Sequence, residues 1–444
     1  MNSKWWLTVL IFAGLIAGLV VGQSLHDPAF EFTMPDSHHA HATAVHVFYF
    51  LGDTIFLGLL KMIIIPLIAT SVIVGLTSVG DFRELGRIGL ITLVYYFVTM
   101  AIAATIGLIL VSSVRPGDRI NADYRDAGER VYQASDDIKD HIDRGPKGLV
   151  GAAQNLVSQI IPGNIIQAAA EGKALPVIFF SILLAIVITT LGERGRMLTE
   201  IIGALFEAIM KLVHVIIWLT PVGVFALLAW TVARIGIGVF TSAIGTYMAT
   251  VLVGLAIHGF VVLPLFCWVF GRCNPFKFMH QMRQALMTAL GTDSSSATLP
   301  VTIECATEVA GVSKRSAGFV LPLGSTINMD GTALYEAVAV VFLAQAYGID
   351  LPLGTLVLVA ITATLAAVGA AGIPSAGLVT MVIVIEAVNG TLSSLPGSPA
   401  IPVAAIGLIV GVDRLVDMCR TAVNVWGDAV GCKIVDHTCP QHTR

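Results

Sequence analysis

Asp413, Asp417, Arg420, Thr421, Asn424 and Asp428 follow one another at intervals of 4, 3, 1, 3 and 4 residues in a segment otherwise rich in Val, Leu, Ile and Ala. On a helix of 3.6 residues per turn this spacing lines them along one stripe. A guanidinium flanked by carboxylates can hold a solute that carries both carboxylate and amine groups, because its planar fork fits a carboxylate and the acids fit an ammonium. The competing reading is an Asp–Arg ladder that only ties helices together. A second cluster, Asn328-Met329-Asp330-Gly331-Thr332, sets side-chain oxygens around a glycine at which a helix can loosen. Oxygen ligands of this kind suit a hard cation such as sodium. A glycine kink with polar caps, or Asp330 acting alone as a proton carrier, uses the same residues.

Two further runs are polar or glycine-rich within apolar surroundings: Gly291-Thr292-Asp293-Ser294-Ser295-Ser296, and Gly369-Ala370-Ala371-Gly372-Ile373-Pro374-Ser375-Ala376-Gly377. Glycine and proline at these spacings read as the tips of helix–turn–helix hairpins. His38, His39, His41 and His46 read as part of a solvated loop rather than a metal site. Lys61, beside Met62-Ile63-Ile64-Ile65-Pro66, reads as a snorkelling or helix-end lysine.

The elements that position these groups follow from composition. The chain of 444 residues is 56% apolar and 12% charged, against about 25% charged in soluble domains. Apolar stretches long enough for a roughly 30 Å hydrocarbon core, which takes about 20 helical residues, recur from Trp5–Gly22 to Ile401–Val410 and beyond. The first, without a small-x-small cleavage site near Gly22–Leu25, reads as a retained helix rather than a signal peptide. A formal charge of −4, with no basic run longer than two residues, implies no nucleic acid or other polyanionic partner. Of the six cysteines, Cys267, Cys305 and Cys419 lie in apolar segments and Cys273, Cys432 and Cys439 on the inner side, with no disulfide framework implied.

Apolar runs predict helices near 5–22, 46–78, 88–113, 148–191, 201–232 and 240–270. Arg83 and Arg87, Arg194 and Arg196, and Arg272, Lys277 and Arg283 mark three inside loops. The outer segment 115–147 carries seven basic and eight acidic residues and departs from that rule. Basic residues stand on both sides of the first tip (Arg283; Lys314 and Arg315), so the hairpin of about 282–310 enters and leaves from inside. No Lys or Arg occurs from Ser316 to Val412, an interval that holds a helix near 317–346 and a hairpin of about 354–389 entering from outside. Two opposed hairpins, each followed by a polar-centred helix, make an inverted repeat whose tips meet near the midplane. Asp413, Asp417, Arg420 and Asp428, four charged residues, would cost on the order of 10 kcal/mol facing lipid, so they must face an interior that pairs, hydrates or binds.

The strings Ser294-Ser295-Ser296-Ala297-Thr298-Leu299-Pro300, Asn328-Met329-Asp330-Gly331-Thr332, Ala371-Gly372-Ile373-Pro374-Ser375-Ala376-Gly377 and Asp417-Met418-Cys419-Arg420-Thr421-Ala422-Val423-Asn424 closely resemble the dicarboxylate/amino acid:cation symporter family. That family includes archaeal aspartate transporters and the animal excitatory amino acid transporters. The resemblance covers nearly the whole chain. It implies an all-α membrane protein of the inner or plasma membrane, with eight transmembrane helices and two re-entrant hairpins. It further implies scaffold helices in 1–87 and 148–232, a mixed-charge extracellular loop at 114–147, a transport unit of 88–113 and 240–430 that slides against a homotrimeric scaffold, and a cytoplasmic tail at 431–444.

By the same resemblance, Arg420 holds the substrate's side-chain carboxylate with Thr332 assisting, Asp417 its amine and Asn424 its α-carboxylate, beside Thr421. Ser294, Ser295 and Ser296, together with Ile373, Pro374 and Gly377, close over it. Asp428, Asn424, Asn328 and Gly324 imply one sodium site, and Asp330, Asn328, Tyr96 and Thr99 a second, tuned by Asp413; a third uses backbone carbonyls around Ala367 and Ala370. Sodium ions are the implied coupling ions, with no organic cofactor. Met100 stands where archaeal relatives have a hydroxyl, and Asp293 stands where relatives have Arg or Ser and can pair with Arg420.

The expected activity is symport of aspartate or glutamate. C4-dicarboxylates, neutral amino acids and proton coupling are alternatives, as are a channel and, from another class, an aspartyl protease built on Asp330 and Asp428.

Overall fold

In lipid a backbone must satisfy its own hydrogen bonds, and a helix does so within one segment. The computed structural model describes residues 3–26, 42–77, 82–122, 124–126, 129, 132, 157, 160–235, 243–368, 376–392 and 400–439. Among the described residues every element is helical and no strand occurs. The order is α1 (Ser3–Leu25), α2 (Ala42–Tyr49), a π-helical stretch Phe50–Leu57 leading into α3 (Gly58–Thr77), α4 (Phe82–Val114), α5 (Ile165–Ala170), α6 (Ala174–Thr190), α7 (Glu193–Ile217) and α8 (Thr220–Ile235). Then come α9 (Ala243–Ile257), the π-helical His258–Val262, α10 (Leu263–Val269), α11 (Pro275–Gln281), α12 (Arg283–Thr292), α13 (Ser295–Glu304), α14 (Lys314–Ile327), α15 (Asp330–Ala346), α16 (Leu353–Val368), α17 (Ala376–Leu392) and α18 (Gly407–Thr438).

By length and apolarity, Ala44–Thr77, Gly86–Val114, Ile244–Val269 and Lys314–Ala346 can each cross a bilayer, and α7 with α8 is a fifth, broken candidate. The single helix expected over 201–232 is this pair, bent by 57°. Pro221 in the first turn of α8 supplies the reason, since it has no N–H to donate back across the junction. The last helix is long enough to span, but its charges exclude it from any test of apolarity. It runs on to Thr438, into the stretch expected as a tail.

Polar residues are placed by interruptions of the helices. Between α12 and α13 the chain turns at Asp293, which sits in the left-handed region (φ 56°, ψ 31°), and Ser294 caps α13 by accepting from Ala297 N at 3.1 Å. This is the first hairpin tip, where the polar run predicts it. Between α14 and α15, Asn328 (φ −86°, ψ 85°) and Met329 (φ −112°, ψ 57°) leave helical geometry. The helix expected over 317–346 is therefore two helices, with the Asn328–Asp330 group at the break. The second hairpin is seen as α16 packed on α17 and α15. Its tip, 369–375, holds Ile373 and Pro374 and lies outside the described residues, as do His38, His39, His41 and most of 114–147.

Hairpin one, α14, α15 and α18 form the centre of the bundle, where α18 packs against α12, α14, α15, α9 and α4. From Arg315 to Ala346 every residue is buried. At the periphery α1 lies on α8, and a Cβ added to Gly18 would come within 2.8 Å of Phe225 O, so only a glycine permits this approach. Lys61 is a surface residue, 3.9 Å from Asp53.

Candidate substrate and ion site

The stripe on α18 turns inward. Asp413, Asp417, Arg420, Thr421, Asn424 and Asp428 are each at most 4% exposed. Arg420 Nε donates to Asp417 Oδ1 at 2.8 Å and Nη2 lies 2.5 Å from the same oxygen. Thr421 Oγ1 reaches that carboxylate as well, at 3.4 Å. The guanidinium also lies over the Tyr335 ring, 4.3 Å from its centroid, a favourable arrangement for a desolvated cation. Tyr335 donates to Asp413 Oδ1 at 2.6 Å, and Asp413 Oδ1 is 3.8 Å from Arg420 Nη1. That Nη1 donates no hydrogen bond to the described residues.

Hairpin two approaches at this nitrogen. A Cβ on Gly377 would stand 2.7 Å from Arg420 Nη1, so a glycine lets the start of α17 lie against the guanidinium. On the other side Gly331 packs on the Arg420 backbone, and Gly331 N donates to Asn424 Oδ1 at 2.7 Å. Asn424 Nδ2 lies 3.3 Å from Met329 Sδ and 3.5 Å from Thr332 Oγ1. The structure thus brings Arg420, Asp417, Thr421, Asn424, Thr332 and Gly377 together around one unengaged donor.

Ser294, Ser295 and Ser296 are buried at the adjoining tip. Their neighbour Asp293 does not pair with Arg420. Its Oδ2 lies 3.7 Å from Arg414 Nε, and Arg414 in turn stacks over Trp230 of α8 at 5.1 Å. Arg420 is already engaged by Asp417, whereas Arg414, six residues before it and off the polar stripe, faces the tip.

A second group lies one to two turns further along α18. Asn328 Nδ2 donates to Asp428 Oδ1 at 2.9 Å. A Cβ on Gly324 would meet Asp428 Oδ1 at 2.5 Å and Tyr96 Oη at 2.6 Å, so Gly324 is where carboxylate and phenol come close. Tyr96 Oη donates to Val320 O at 2.8 Å. Asp330 stands across Gly427 from this group, and a Cβ on Gly427 would be 2.6 Å from Asp330 Oδ2 and 2.9 Å from Asn328 Nδ2. Asn328 Oδ1 and both oxygens of Asp330 are buried and accept no hydrogen bond from the described residues. Such oxygen atoms, at this depth, are what a dehydrated hard cation needs. Thr99 is buried too, but its hydroxyl is turned to its own helix, to Tyr95 O at 3.0 Å and Tyr96 O at 3.2 Å. Tyr96 sits with Gly324 and Asp428. Met100 is fully buried.

Three groups at the site escape the spacing argument. His258 is fully buried with Nε2 3.2 Å from Asp330 Oδ2. Tyr335 bonds Asp413, as above. Glu336 is fully buried on α15 and accepts from Thr380 of α17, joining hairpin two to α15, while its Oε2 has no hydrogen-bond partner among the described residues. A carboxylate in the apolar run from Ala333 to Ala344 is signal enough for Glu336. His258 carries none, because a lone histidine in an apolar run looks like any core residue.

The model of the sodium:dicarboxylate symporter family matches residues 7–438. Excitatory amino acid transporter 3 of Mus musculus is 39% identical over 467 residues, covering 97% of this chain and 85% of that protein. Excitatory amino acid transporter 2 of Homo sapiens is 38% identical, covering 97% of this chain and 78% of its own length. The putative sodium-dependent excitatory amino acid transporter glt-4 of Caenorhabditis elegans is 37% identical, covering 98% and 89%.

Proposed function

Because the chain belongs to the sodium:dicarboxylate symporter family, and is thus a multi-pass membrane transporter rather than an enzyme, we propose that it imports acidic amino acids, aspartate or glutamate, coupled to sodium. The observation that carries this reading is the Arg420 guanidinium, buried between α15, α17 and α18, with Nη1 donating to none of the described residues, Asp417 on its Nε, and Asn424 and Thr332 close to each other one turn further along. A substrate carboxylate completes Nη1, its ammonium takes a share of Asp417, and Asn424 and Thr332 orient the rest.

Sodium coupling is supported by the oxygen group at Asn328, Asp330 and Asp428, and by its connection to the substrate group through Asn424, whose Oδ1 binds the backbone at Gly331. The break at Asn328–Met329 is shared by both. Each ligand that orders this break lowers the cost of ordering it for the other, and this linkage is reciprocal. Hairpin two, meeting Arg420 at Gly377 and α15 through Thr380–Glu336, is the element that closes once both are in place. Alternating access arises from a transport unit of 88–113 and 240–430 moving against scaffold helices in 1–87 and 148–232 of a homotrimer.

C4-dicarboxylates are the second reading, and one observation favours it. Asp417 is already engaged by Arg420 at 2.5 Å, so a solute without an amine leaves no orphaned carboxylate. Uptake of radiolabelled aspartate into proteoliposomes, with and without an inward sodium gradient, tests the proposal. Gradient-driven uptake that excess glutamate suppresses and succinate does not is expected. Uptake indifferent to sodium, or succinate competing better than glutamate, overturns it.

A further inference from the structure

The turn between α10 and α11 brings two thiols together. Cys267 Sγ and Cys273 Sγ are 3.0 Å apart, and Cys273 Sγ also lies 4.0 Å from Cys267 O. The local backbone enforces this. α10 ends at Phe270, which donates to Phe266 O, and Arg272 then takes a left-handed conformation (φ 45°) that side chains seldom adopt. A Cβ on Gly271 would lie 2.6 Å from Cys267 O, so the tight reversal needs glycine there as well. Asn274 fixes the exit by capping α11, accepting from Lys277 N at 3.0 Å. Cys267 is fully buried while Cys273 is half-buried, beside the exposed Arg272 and Asn274.

We propose that Cys267 and Cys273 form a reversible dithiol–disulfide site, closed by peroxide and open to trivalent arsenicals, at the turn joining α10 to the first hairpin. A disulfide needs its sulfurs about 2.05 Å apart, so closure moves them by roughly 1 Å with no change of fold. Chemically, the more exposed Cys273 sulfur attacks one peroxide oxygen, becoming a sulfenic acid with loss of one water. The Cys267 sulfur then displaces hydroxide from it, and the two thiol protons leave with the oxygens, so two thiols and one hydrogen peroxide give one disulfide and two waters. A dithiol reductant reverses the step by exchange. Arg272, Lys277 and Arg283 mark this turn as an inside loop, where thiols are normally kept reduced and a bridge would form only under oxidant. The inference does not depend on which solute is carried.

Purified full-length protein treated with hydrogen peroxide, alkylated with N-ethylmaleimide and analysed by mass spectrometry after non-reducing digestion tests it. The expected product is a Cys267–Cys273 linkage, lighter by two hydrogens, unlabelled at both thiols and restored to double labelling by a dithiol. Cys305→Ser should leave it unchanged, and Cys267→Ser or Cys273→Ser should abolish it. Phenylarsine oxide should protect both thiols from maleimide in the unoxidised protein, with at least about 10-fold weaker protection in either single variant. If a single variant does not fold, the linkage and arsenical protection in the natural chain still decide. Sulfenic or sulfinic Cys273 with Cys267 still labelled, or arsenical protection that survives in Cys267→Ser, overturns the proposal.

Discussion

Two helix contacts of this molecule are equally close and opposite in chemistry. Where α1 lies on α8, the interface is made of Gly14, Gly18 and Gly22 against backbone, and the outer side of α1 shows Trp6, Leu10, Phe12, Ile16 and Val20 to the surroundings. Where α18 lies on α14 and α15, Gly324 and Gly427 face the carboxylate, phenol and amide groups of Asp428, Tyr96, Asp330 and Asn328 instead, Gly331 packs on the Arg420 backbone, and every residue from Arg315 to Ala346 is buried. The same small residue thus serves two ends. In the first contact it brings helices together for dispersion alone, as membrane helices need without a hydrophobic drive. In the second it opens room for polar side chains, with Asp428 and Tyr96 brought close at Gly324 and Asp330 and Asn328 at Gly427.

Removing the central charge separates the two regions most sharply. Arg420→Cys takes away the buried guanidinium of the stripe, and losing charge-assisted bonds worth about 3 kcal/mol corresponds to roughly 100-fold in affinity. Aspartate uptake should fall by at least that factor, with serine or another neutral amino acid gaining entry; unchanged aspartate affinity would break the contrast drawn here. The ion group should answer next. In Asp428→Asn the bond to Asn328 can persist while the charge is lost, and the sodium concentration for half-maximal uptake is expected to rise about 10-fold, or roughly 1.4 kcal/mol, with aspartate affinity at saturating sodium nearly kept.

Gly18→Val probes the other contact. Its Cβ would stand 2.8 Å from Phe225 O and 3.1 Å from Leu228 Cβ, and overpacking of this kind costs about 1–3 kcal/mol. A lowered thermal midpoint in detergent, with substrate and sodium dependence unchanged in the folded fraction, is expected; a shifted sodium dependence would mean that the contacts are not separate. Lys61→Ala should do least. Its 3.9 Å pair with Asp53 is at the surface, and such pairs contribute between about 0 and 1 kcal/mol, so thermal midpoint and uptake should match the natural chain.

Much of the site was legible because charge in an apolar helix is costly, which makes Asp413, Asp417, Arg420 and Asp428 conspicuous at helical spacing. The Ser run and the Asn328–Gly331 group were legible for a related reason: each interrupts an apolar run, and the chain leaves helical geometry at both. Other features were not. The 57° bend between α7 and α8 falls inside a continuous apolar stretch, where period and length look like one helix. Nor does the spacing along α18 show that Arg414, beside the stripe, reaches the tip at Asp293.

What the chain determines by itself is therefore its solvent, its helical class and which residues cannot face lipid, since each follows from transfer cost and period, properties of a segment taken alone. Which of those residues meet is a tertiary matter. Asp330 beside His258, Glu336 beside Thr380, Cys267 beside Cys273 and Gly377 against Arg420 depend on where separate helices break and how near they come, and distances of a few ångströms between segments leave no periodic trace in either one.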